Sequence, residues 1–132
     1  MKSSVAHSLM VGLLAGAVLA CGDDEPTAAI PSTYDVVFHA NGVQVGAVLF
    51  LVQGGAVDTV EGAGYYTASA PFSGVATLVL VAGPALDGAL ARVVIADPGL
   101  TYQAVAREVA VSGSHDLLPL DRVTMAMVPA RR

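Results

Sequence analysis

The chain has 132 residues, enough for one domain with a real core and too few for two. Its net charge is −5, with Lys2 as the only lysine and five arginines, of which only Arg131 and Arg132 adjoin; this excludes the clustered basic surface that nucleic acid requires. Charged residues make up 13% against 55% hydrophobic, and tryptophan is absent, so the core must be built mainly from Val, Leu and Ala, and much of the surface from small residues.

In chain order, the first feature is an export signal. Lys2 supplies a positive start, and residues 9–20 form an apolar run that ends at Cys21. Twelve residues fall short of the ~20 that a membrane-spanning helix needs. They match the apolar stretch of a cleaved signal peptide. Cys21 is the only cysteine, so no internal disulfide can form.

Val18-Leu19-Ala20-Cys21 resembles the bacterial lipobox. That resemblance implies diacylglycerol on the Cys21 sulfur, cleavage before it, and a membrane anchor made of two or more acyl chains, which hold stably where one does so only marginally. Val18 and Ala20 also satisfy an ordinary signal peptidase, which would leave a secreted protein with a free terminal thiol. Gly22 stands where an aspartate can retain lipoproteins at the inner membrane, so the resemblance points to the outer membrane. Residues 22–32 read as a tether, with Asp23, Asp24 and Glu25 repelling one another and Pro26 and Pro31 stiffening the path.

From Tyr34 onward, short apolar runs alternate with Gly, Pro and Asp punctuation, the pattern of an all-β domain. Residues 34–40 form a strand with Tyr34, Val36, Phe38 and Ala40 on one face and Asp35, Val37 and His39 on the other. Asn41-Gly42 predicts a hairpin into a return strand over residues 43–52. The end of that strand is apolar on both faces and reads as buried on both sides. Further strands are expected over residues 56–60, 65–68, 75–81, 89–96, 102–111 and 123–128. A turn is expected at Pro71-Phe72-Ser73-Gly74 and another at Asp97-Pro98-Gly99. Residues 89–96 and 102–111 are alanine-rich and also fit a helix; their position either side of a tight turn favours strands.

These elements predict a two-sheet antiparallel β-sandwich, Ig-like or cohesin-like, of seven to nine strands. The expected organisation is a signal-peptide helix over residues 1–20, lipidated Cys21 and a disordered acidic tether over 21–32, and the sandwich over 33–132. The runs Gly46-Ala47-Val48-Leu49-Phe50-Leu51-Val52 and Gly88-Ala89-Leu90-Ala91-Arg92-Val93-Val94-Ile95 resemble the Gly-led strands of cohesin-like sandwiches. No partner-binding residue carries over from that resemblance.

Chemistry is sparse. His115-Asp116 could form part of a triad with Ser112 or Ser114, but no Gly-x-Ser-x-Gly elbow is present. A metal site would need His39, His115, Asp116 and Asp97 to converge without any pre-ordering motif. Calcium at Asp58, Glu61 and Gly62, or at Asp97, has only turn chemistry in its favour. Gly62-Ala63-Gly64 reads as a bend between strands. Tyr65-Tyr66 is the feature best suited to ligand contact, because neighbours on a strand face opposite ways and one ring must be exposed. The sequence therefore predicts a non-enzymatic envelope module, without cofactor or metal. Cys21 anchors it to the membrane, and its partner is a protein or a glycan. Docking through an exposed strand edge is the alternative.

Overall fold

Alternation decides which side of each strand is buried, and a computed structural model describing residues 30–131 shows how the buried sides meet. The signal peptide, Cys21 and most of the tether lie outside the described residues. Eight strands form: β1 (Thr33–Ala40), β2 (Val45–Gln53), β3 (Val57–Gly62), β4 (Tyr66–Ser73), β5 (Ala76–Ala82), β6 (Gly88–Ile95), β7 (Gln103–Val111) and β8 (Val123–Pro129). They make two four-stranded antiparallel sheets, ordered β3-β6-β1-β8 and β4-β5-β2-β7. Both alanine-rich segments are strands, β6 and β7.

The inner faces close on one core. Val36 and Phe38 come from β1, Leu90, Ala91 and Val93 from β6, Val48, Phe50 and Val52 from β2, Val79 and Val81 from β5, and Val109 from β7. Burying a Val, Leu or Phe side chain is worth ~1.5–3 kcal/mol each relative to exposure. Val45 is also buried, although it lies an odd number of positions from Val48. The β2–β7 register shifts between Val45 and Ala47, and this bulge turns both valines inward.

The expected hairpin at Asn41-Gly42 does not form. β1 and β2 lie in different sheets, and Asn41–Gly42 begins a crossover between them. Gly42 does take a positive φ of 73°, but the Asn41 N–H donates to the Arg122 carbonyl (3.3 Å), ahead of β8. Asp97-Pro98-Gly99 does turn, with Leu100 N–H donating to the Asp97 carbonyl (3.1 Å). It too joins strands of opposite sheets. The turn expected at residues 71–74 comes later, because β4 continues through Pro71 to Ser73. Pro71 is tolerated there because β4 is an edge strand and the pairing is bulged between Pro71 and Ser73. Only β4 and β5 are joined within one sheet; every other connection crosses the sandwich.

These crossovers give the molecule two ends. One, the tethered pole, gathers the start of β1, the β2–β3, β4–β5 and β6–β7 connections, and the end of β8. The other, the distal pole, gathers the β1–β2, β3–β4, β5–β6 and β7–β8 connections. At the tethered pole Gly54 has φ 122°, and a side chain there would collide with the Thr101 carbonyl oxygen. Gly42 at the distal pole has open space around it. Gly54→Ala is therefore expected to cost ~2 kcal/mol or more from backbone strain and collision. Gly42→Ala should cost only ~1 kcal/mol, since it adds left-handed strain without a clash. Urea unfolding midpoints of the two variants check the order.

Candidate docking face

Residues expected to carry chemistry are scattered. Asp97 sits at the tethered pole, whereas His39, His115 and Asp116 sit toward the distal one. Asp97 Oδ1 accepts the Gly99 N–H (2.9 Å), an Asx turn that uses the carboxylate locally. His115 adopts φ 63° in its loop. The Ser112 hydroxyl donates to the Pro84 carbonyl (2.8 Å), and Ser114 Oγ accepts the Asp116 N–H (3.3 Å). Among the described residues no side-chain hydrogen bond joins His115 to either serine, and no group of three or more His, Cys, Asp or Glu gathers around a common point. Gly62 ends β3, and Gly64 takes φ 94° in the bend that crosses to β4.

The tyrosine pair splits, with Tyr65 in the bend before β4 and Tyr66 the first residue of that strand. Tyr65 packs against the core, and its hydroxyl lies 3.4 Å from the Asp87 carbonyl and 3.5 Å from that of Ala85, which share its proton weakly. Tyr66 turns outward from β4 and is 66% exposed. A ligand can therefore reach only the Tyr66 ring freely.

The outer face of the β3-β6-β1-β8 sheet is of the usual mixed kind. Asp35 Oδ1 accepts a hydrogen bond from Arg92 Nε (3.1 Å). That bond and the Asp35 charge raise the Arg92 pKa above its ordinary value, with Glu61 adding to the effect. His39 Nδ1 lies 3.0 Å from Asp87 Oδ1. This pair is absent from the sequence reading, because Asp87 reaches it from the β5–β6 connection. Both partners are well exposed, so the pair is worth at most ~1 kcal/mol.

The outer face of the second sheet differs. The register places Ala47, Leu49 and Leu51 of β2 opposite Ala82, Leu80 and Leu78 of β5. Ala68 and Ala70 of β4 lie beyond them, and Glu108 and Ala110 of β7 lie on the other side. A leucine ridge thus runs down the centre, flanked by alanine, with Tyr66 at the distal end and Phe72 at the tethered end. Arg107, the extra residue of the β2–β7 bulge, reaches over this face to within 6.0 Å of the centre of the Phe72 ring. Leu51, Gln53, Phe72, Val75, Gln103 and Arg107 line a shallow depression there.

The second side of β2 is therefore apolar as expected, but among the described residues no layer covers it. Leu51 is buried by its neighbours on the same face, while Leu49 stays half-exposed. Leu80, Phe72 and Arg107 were not singled out from the sequence. The signal was there: β2 and β5 both keep apolar residues at even and odd positions, although only one side of each can enter a sandwich core. Comparison of the chain with family models, curated proteins and solved structures gives no match.

Val79 and Leu80 are adjacent on β5 and face opposite ways. Val79→Asp would leave an unpaired charge in the core and is expected to prevent folding. Leu80→Asp should fold, at a cost of ~1 kcal/mol in strand preference, and should bind less of an apolar fluorescent dye than the parent. Circular dichroism melts and dye titration read the two effects.

Proposed function

We propose that the chain is an envelope lipoprotein, held in a bacterial membrane by lipid on Cys21. Its sandwich serves as a non-catalytic binding module. The observation that carries this reading is an apolar run too short to span a bilayer that ends at the chain's sole cysteine. The position of β1 supports it. Thr33 begins β1 twelve positions after Cys21, a length that can reach at most about 40 Å when fully extended. Gly22 favours the outer membrane.

The partner is a protein surface rather than a glycan. A sugar site needs polar groups beside an aromatic platform. Here the centre of the apolar face is leucine and alanine, with its aromatic rings only at the two ends. An exposed apolar face of this kind marks an interaction surface.

Expression of the full chain with radiolabelled palmitate, beside Cys21→Ser, tests the anchor. Label is expected in the parent alone, with the variant lost from the membrane fraction; equal labelling or equal retention would refute it. For the face, a photo-crosslinking residue at Leu80 should give a discrete adduct in cells, and one at Val37, on the outer face of the other sheet, should not. Matching patterns at both positions would remove the face from consideration.

A further inference from the structure

We propose that the tethered pole of the sandwich is itself a membrane-contacting surface, with Ile30, Phe72, Val75 and Leu100 entering the headgroup region of the bilayer. This rests on the anchor reading above and adds an orientation that the anchor alone does not impose.

The pole is a single built surface. The Ile95 N–H donates to the Ser32 carbonyl (2.8 Å) and the Ala130 N–H to the Thr33 carbonyl (2.9 Å), which fixes where the chain leaves toward Cys21. The Gly54 N–H donates to the Val75 carbonyl (3.0 Å). The Tyr102 hydroxyl donates to the Ala56 carbonyl (2.7 Å) and accepts the Asp97 N–H (3.4 Å). The β2–β3, β4–β5 and β6–β7 connections are thereby tied into one tip. On that tip Ile30 is 62% exposed, Phe72 58%, Val75 61% and Leu100 47%. Turns normally present polar residues to water; Ile30 and Leu100 lie off the leucine ridge, and Phe72 and Val75 stand where that face meets the tip.

The opposite end is mixed, with Tyr66, Leu117 and Leu120 exposed among charged residues. Asp87, Asp121, Arg122, Asn41 and His39 surround an open cleft there, with Asp116 in the neighbouring loop. The tethered tip carries Arg131, Asp58 and Asp97, and Asp97 is occupied by its own turn. The attachment of the tether at this tip, rather than charge, brings this end to the bilayer, since the tether carries three carboxylates of its own, Asp23, Asp24 and Glu25. Apolar side chains at the anchored end add a second, local attachment to the lipid. The tether is long enough to permit this contact, since it joins the tip directly.

The chain has no tryptophan, so one introduced indole reports a single position. Phe72→Trp and Tyr66→Trp place it at the two ends of β4, both on exposed, outward sites, and circular dichroism confirms that each variant folds. The full chain is attached through Cys21 to vesicles of phosphatidylcholine and phosphatidylglycerol with brominated acyl chains. Attachment is by cellular acylation or, for protein with a free Cys21 thiol, by coupling to a maleimide-bearing lipid. Phe72→Trp should lose emission to the bromines and shift to the blue, whereas Tyr66→Trp should do neither. Quenching of neither variant would overturn the proposal, and so would quenching of both, which would mean that the whole sheet face lies on the lipid. If cells leave Cys21 unacylated the anchor reading fails, while the coupled protein still reports on the pole.

Discussion

One constraint governs the molecule: neither sheet can exist without the other. In the first sheet β1 pairs with β6 and β8, and in the second β2 pairs with β5 and β7. These partners are distant in sequence, and nearly every connection crosses the sandwich. Strand pairing therefore brings no early local gain, apart from the β4–β5 hairpin. The chain must bring Phe38, Leu90 and Val93 against Phe50, Val79 and Val109 at about the time the ladders form. Such non-local closure is slow and leaves apolar strands exposed while it proceeds. The fold is thus held by its inner faces first and by its ladders through them.

This explains which parts of the fold were legible. The strands themselves were, because alternation and Gly or Pro punctuation are local properties. The alanine-rich β6 and β7 keep the period of two on either side of a bulge, at Leu90 and at Arg107. Connectivity was not. Asn41-Gly42 and Asp97-Pro98-Gly99 carry turn chemistry, and both places do turn. A residue that permits positive φ sets the local bend, but the sheet that the next strand joins is decided by which partners complete the core. Pro71 misled for the related reason that its penalty depends on whether the strand is central or at an edge, a property fixed only by strand order.

The candidate site shows the same division. That one of Tyr65 and Tyr66 must be exposed followed from the sequence; which one did not, since it depends on the side from which β4 approaches β5. The apolar outer face was half legible. The end of the return strand reads as buried on both sides, and Phe50, Leu51 and Val52 are buried. That reading supplied no covering layer, because no remaining element is left to provide one among the described residues. The Phe72–Arg107 contact could not be foreseen, as it needs the β7 bulge to turn Arg107 onto the leucine ridge.

The edges of the second sheet help to decide how this face is used. An open edge invites a foreign strand. At β7 the distal end of the edge is covered, because the chain returns along it: the Val111 N–H donates to the Asp116 carbonyl (2.8 Å), and the Leu118 N–H to the Val109 carbonyl (2.7 Å). At β4 the edge is interrupted by Pro71, which has no N–H to offer, and by the bulge beside it. Both devices obstruct main-chain pairing locally, while the surface between them is carried by Leu49, Leu78 and Leu80 with flanking alanines, charged only at the β7 side by Arg107 and Glu108. Between its edges the sheet presents side chains more freely than main-chain groups.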